Sequence, residues 1–202
     1  MLRMGPDTGP TILALPALFE EANRTRAILT GALRRLADAG WSVALPGLPG
    51  QGESLVPTAE ADLLAWRAAA MAAAEHLPQP VHVLAIRAGA LVDTEVAAAS
   101  RYHWSPVTGR ELKRELTRLR ELGRGEDYAG NDLSDALLAQ LDGAEPTITA
   151  PLRVARMDSD PRPADFRLPG AAPWRATEPL TDSALAALLA NDLAAWLTTC
   201  AG

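Results

Sequence analysis

The sequence predicts an α/β fold, a doubly wound and mostly parallel sheet with helices on both faces. Three observations carry the prediction. Short apolar runs alternate with stretches of helical period, in the order strand, helix, strand, helix, strand, which is the signature of βαβ units. Tight Gly and Pro turns separate them. The chain has 202 residues, 48% of them hydrophobic and 22% charged, which suits one soluble domain over residues 1–202 with a sizeable core. There is no internal repeat and no sign of a second domain.

Each element has its own reason. Thr11 to Pro16 is an apolar run after a Gly-Pro turn and reads as a buried strand. From Glu20 to Ala39 the positions Ile28, Leu29, Leu33 and Leu36 recur at helical spacing, and Gly40 closes the helix. Trp41 to Leu45 is a second strand, followed by the loop Pro46 to Ser54. Ala61 to His76 is an alanine-rich helix stopped by Pro78 and Pro80, and Val81 to Ile86 a third strand. A short helix is expected from Gly89, then a fourth strand over Arg101 to Val107. Gly109 to Leu122 is strongly amphipathic, with Leu112, Leu116 and Leu119 on one face. Gly123 to Asn131 reads as a polar loop, and Leu133 to Leu141 as a helix capped by Asp132 or Ser134. Pro151 to Met157 is the fifth strand, ending in the acidic turn Asp158 to Asp160. Pro161 to Pro179 reads as irregular, and Thr181 to Leu197 as the closing helix with Thr181 at its N-cap.

Composition excludes several function classes. The net charge of −6 argues against a nucleic-acid partner, because phosphate binding needs a basic face. The lone Cys200 excludes an internal disulfide and suits a reducing compartment. The first ten residues hold no apolar stretch long enough for a signal peptide, no stretch is expected to span a membrane, and the expected location is cytoplasmic. No Cys/His spacing suits a metal, and no cofactor is expected. Gly47 to Gly52 lacks the Lys-Ser/Thr of a P-loop and reads as a plain turn.

The segment Ala85-Ile-Arg-Ala-Gly89 has the layout of a strand-to-helix elbow that lifts one side chain above the sheet, normally Gly-x-Ser-x-Gly. Arg87 occupies the nucleophile's place. A guanidinium has no lone pair with which to attack a carbonyl. The triad order would then call for an acid, Asp158 or Asp160, and a histidine near the last strand. His76, His82 and His103 all come earlier, so acyl-enzyme chemistry lacks its actors.

Four segments resemble the exosortase A system-associated hydrolases of the second type, an α/β-hydrolase-fold family. They are Pro16 to Arg26, the Leu45–Ser54 loop, Ala85 to Leu91, and Trp104 to Gly109. A fifth, weaker match lies at Pro173-Trp174 and the closing helix. The resemblance implies a minimal α/β-hydrolase-like domain from bacteria that make extracellular polysaccharide, in a family that tends to carry arginine at the elbow. The family loop usually has an aspartate before its glycines, where this chain has Gly47.

The candidate catalytic residues are Arg87, Glu20, Glu21, His103 and Ser105. His103 and Ser105 are two apart, which on a strand would put both on one face. Phe19, Asn23, Arg24, Trp174 and Arg87 are the candidate ligand contacts. Arg87 has two readings: an ion pair with Glu20 or Glu21, or a free guanidinium that binds an anion. Two functions follow. The first is a binding or scaffold protein, a pseudoenzyme that takes an anionic acyl or glycan-lipid ligand, or pairs with a hydrolase relative or a second copy. The second is an esterase or thioesterase in which Arg87 acts with Glu20, Glu21 or His103.

Overall fold

The computed structural model describes residues 1–123, 127–128 and 130–200. Seven strands form one sheet: β1 (Leu2–Met4), β2 (Thr11–Leu15), β3 (Ser42–Leu45), β4 (Val81–Ile86), β5 (Ser100–Trp104), β6 (Leu152–Met157) and β7 (Phe166–Leu168). Their spatial order is β1-β3-β2-β4-β5-β6-β7. Only the β1–β3 pairing is antiparallel. This is the doubly wound α/β arrangement expected from the strand and helix alternation.

Among the described residues, five helices cover the sheet: α1 (Glu20–Asp38), α2 (Leu63–Glu75), α3 (Gly109–Gly123), α4 (Asp135–Leu141) and α5 (Ser183–Cys200). Alternation along β2 assigns the faces. Ile12 and Ala14 pack with Ile28, Leu33 and Leu36 of α1 and Leu189 and Leu193 of α5. Leu13 and Leu15 pack with Trp66 of α2, Leu112 and Leu116 of α3, and Leu137 and Leu141 of α4. Two apolar layers therefore sandwich the sheet, each closed by the stripe of a helix.

Local signals set most helix ends. After α1 the Gly40 φ of 91° lets the amides of Gly40 and Trp41 return to the carbonyls of Ala37 and Leu36. Asp62 caps α2 by accepting from the Ala65 amide at 2.7 Å, and Ser134 caps α4 by accepting from Leu137 at 3.1 Å.

The structure corrects the sequence reading at six places. β1 was not expected. The Pro-rich stretch 161–179 contains β7 and a 3-10 turn at Pro173–Arg175. The fourth strand stops at Trp104, because Ser105 takes a left-handed φ of 49°. The helix expected from Gly89 is replaced by two 3-10 turns, Arg87–Leu91 and Asp93–Glu95. Asp182, not Thr181, caps α5: its Oδ1 accepts from the Leu185 amide at 2.9 Å. Finally, α5 is long and apolar enough to cross a membrane by length and composition, with mean hydropathy 1.2 over 18 residues. Its Leu185, Leu189, Leu193 and Leu197 are instead buried in the layer shared with α1. Part of the polar loop read over 123–131 lies outside the described residues, and Gly123 itself ends α3.

Candidate functional site at the carboxyl edge of the sheet

The parallel strands end at a common edge, where three non-glycine residues hold positive φ: Phe19 (56°) after β2, Arg87 (53°) after β4 and Ser105 (49°) after β5. Such conformations are disfavoured for side chains with a Cβ, and they cluster where a fold holds a fixed geometry. At the elbow, Gly89 explains itself. A Cβ there would meet the Pro16 carbonyl oxygen at 2.4 Å and that of Leu15 at 2.6 Å. Only glycine lets the turn lie this close to the end of β2.

Arg87 is held on every side. Its Nε donates to both carboxylate oxygens of Glu21 at 3.1 Å, and Nη2 donates to Oε1 at 2.8 Å. Nη1 donates to the Ser105 carbonyl at 3.2 Å. The guanidinium carbon stands 4.5 Å from the centre of the Trp174 ring. Both members of the ion pair keep 14% side-chain exposure, so water screens the pair weakly. Of the two readings of Arg87, the structure has the paired one, and the partner is Glu21. Glu20 turns to Arg24 at 3.6 Å, while Arg24 Nη1 donates to the Trp174 carbonyl at 3.0 Å. The first turn of α1 thus locks both the arginine and the aromatic ring above it.

β6 is followed by Asp160, where the acid would stand. β7, the last strand among the described residues, is followed by the 3-10 turn that holds Trp174. Arg87, Asp160 and Trp174 all line one cavity of about 360 Å³. Asp160 accepts from Nε and Nη2 of Arg162 and from Nη1 of Arg156 at 3.0 Å. The hydrogen bonds from Arg162 hold its carboxyl well below the usual carboxylate range. Arg162 in turn reaches Glu111 of α3 at 3.1 Å. The ends of β4, β6 and β7 thus bring a paired guanidinium, a salt-bridged carboxylate and an indole to one cavity.

The amide that β2's loop would contribute to an oxyanion hole is also engaged. The Phe19 N–H donates to Gln51 Oε1 at 2.9 Å, a contact supplied by the Gly-rich loop.

Several candidates do not meet at the site. The His103 ring is buried, with Nε2 against Asp93 Oδ2 at 2.8 Å, and Asp93 also faces Arg101 at 3.2 Å. His103 serves this buried network beneath the 3-10 turns and does not line the cavity. Ser105 is off the strand, so the shared face with His103 is lost; its buried Oγ has no hydrogen-bond partner. What Ser105 gives the site is its carbonyl. Phe19 is a core residue, its ring edge-on to Trp66 at 5.7 Å. Asn23 is exposed on α1, beside a shallow groove separate from the cavity. His82 is buried against the Ser100 hydroxyl at 2.8 Å, and burial lowers its pKa.

The sequence reading missed Gln51, Glu111, Arg114, Arg156, Arg162 and Arg175. The one available signal was the Asp160-x-Arg162 spacing beside a predicted strand end. Among the described residues, no group of three or more His, Cys, Asp or Glu side chains could hold a metal ion.

The fold and this edge together define the α/β-hydrolase fold. No family model and no curated protein matches the chain. Solved structures do. Mouse alpha/beta hydrolase domain-containing protein 10 superposes with TM-score 0.66 at 14% identity, over 98% of this chain and 93% of that one. Est1E from Butyrivibrio proteoclasticus, solved with ferulic acid, gives 0.60 at 13%, over 96% and 91%. The thioesterase domain of the curacin biosynthetic pathway gives 0.59 at 15%, over 95% and 93%. At these identities the likeness is one of fold.

Proposed function

We propose that this chain is a non-hydrolytic protein of the α/β-hydrolase fold that binds a small anionic ligand in the cavity above the Arg87–Glu21 pair. The observation that carries the reading is the locked guanidinium at the elbow. A side chain that cannot attack a carbonyl fills the nucleophile's place, and its bidentate partner, a carbonyl and an aromatic face keep it there. The indole after β7 and the engaged Phe19 amide support the same reading. The positive φ retained at Phe19, Arg87 and Ser105 supports a geometry kept for binding. The resemblance to the exosortase A system-associated family supports a cytoplasmic role in bacteria that make exopolysaccharide, beside a hydrolase-family partner or a second copy.

The test is a screen of the native chain with short p-nitrophenyl esters and acetyl-CoA, beside Arg87→Ala and Glu21→Ala. The expected result is no turnover above buffer in any of the three, with both substitutions lowering the melting temperature. Turnover in the native chain that both substitutions abolish, with folding intact by circular dichroism, overturns the reading.

A further inference from the structure

The cavity's lining points to a ligand class. Eight of its fifteen residues are charged: Glu21, Arg87, Glu111, Arg114, Glu115, Asp160, Arg162 and Arg175. Most of these charges are neutralised by a partner. Arg87 is matched by Glu21, Arg162 and the neighbouring Arg156 by Asp160 and Glu111, and Glu115 by Arg118 on the same helix. Arg114 and Arg175 have no ion-pair or hydrogen-bond partner for their side chains among the described residues. Two unmatched guanidinia therefore face one cavity in a chain whose net charge is −6. A local positive field of this kind concentrates anions.

The shape of the lining narrows the class further. A long acyl chain would strip water from the two unmatched guanidinia and return no hydrogen bonds to them, which is costly. A compact hydroxylated body can donate to Glu111, Glu115 and the Ser159 hydroxyl, and rest on Leu112 and Met157. The volume of about 360 Å³ lies at the small end of ligand pockets. A charge of two is what the two free arginines balance, and a phosphomonoester carries it at neutral pH.

We propose that the cavity binds a phosphomonoester of a small hydroxylated molecule, with Arg114 of α3 and Arg175 of the 3-10 turn after β7 receiving the phosphate. This rests on the binding reading above and names its ligand class. Both arginines are exposed, so replacing them leaves the fold intact.

The test uses glucose 6-phosphate as the probe, with glucose and laurate beside it, read by calorimetry. The native chain is expected to show saturable binding of glucose 6-phosphate, weaker binding of laurate, and none of glucose. Arg114→Ala and Arg175→Ala are each expected to weaken it about tenfold. Arg110→Ala, on the same helix but outside the cavity, is expected to leave it unchanged. No saturable binding of glucose 6-phosphate, or equal losses in all three variants, overturns the proposal. Tighter binding of laurate overturns the ligand class and leaves the non-hydrolytic reading standing. Turnover in the ester screen that Arg87→Ala and Glu21→Ala both abolish removes that reading whatever the phosphate result.

Discussion

The two apolar layers and the carboxyl edge of the same sheet are built on opposite terms. Around Ile12, Leu33 and Leu193 on one face, and Leu13, Trp66 and Leu137 on the other, the chain buries hydrocarbon in ordinary backbone geometry. At the edge, a few residues away, it holds three strained residues and a lattice of guanidinium–carboxylate contacts: Arg87–Glu21, Arg156–Asp160, Arg162–Asp160 and Arg162–Glu111. The layers are stable through area removed from water. The edge holds only while every charge keeps its partner. Within one sheet, burial holds the layers, and ion pairing around backbone at positive φ holds the edge.

The largest break in that comparison is steric. Gly89→Ala drives a methyl group into the carbonyls of Pro16 and Leu15, and destabilisation of about 4 kcal/mol or outright failure to fold is expected in urea titrations. Gly143→Ala, with open space around its Cβ position, is the control and stays within about 0.5 kcal/mol.

Next is Arg87→Ala, which leaves the Glu21 carboxylate in the edge without its guanidinium. A loss of about 3 kcal/mol by denaturant melts is expected, and Glu20→Ala, which frees only a half-exposed pair, costs under about 1 kcal/mol. Equal losses would erase the difference between a locked arginine and a surface one.

A smaller effect of about 1 kcal/mol is expected for Gln51→Ala, which removes the acceptor of the Phe19 amide. The same variant sharpens the functional half of the comparison, because freeing that amide still yields no ester turnover while Arg87 and Trp174 remain.

Acid acts on the edge. The Asp160 carboxyl titrates below its ordinary value of 3.8, since Arg162 and Arg156 favour the charged form. A depressed carboxyl gives stability that is complete above the unfolded value and is lost as pH falls through the folded one. Melts of the native chain should therefore weaken below about pH 4, and Asp160→Asn should flatten that acid limb while leaving the shape above it unchanged.

The layers were largely legible in the sequence, and the edge was legible only in part. Ile28, Leu33 and Leu36 announce α1 by period alone, and Ser134 announces its helix by capping chemistry. β1 and β7 were invisible because each has three residues and draws its stability from a neighbouring strand, β7 from within a Pro-rich stretch. The failed helix at Gly89 has a physical reason: the turn after β4 dives into the sheet edge, and the buried Asp93 is drawn to His103 and Arg101. Arg87 and Glu21 could be named because a charge at an elbow requires a partner and the first turn of α1 offers one. Glu111 and Gln51 could not, since nothing in the sequence around their partners, 51 and 32 positions away, demands them, whereas Arg162 had a local signal in the Asp160-x-Arg162 spacing.

The central claim is that Arg87 and Glu21 act as one structural unit at the turn after β4. A double-mutant cycle over Arg87→Ala, Glu21→Ala and the pair, measured by urea unfolding, tests it most directly. The account predicts strong coupling, with the double variant more stable than the sum of the single losses by about 2 kcal/mol, because removing both charges leaves neither unpaired. Additive losses would mean that the two residues stabilise the edge independently, and would contradict the account.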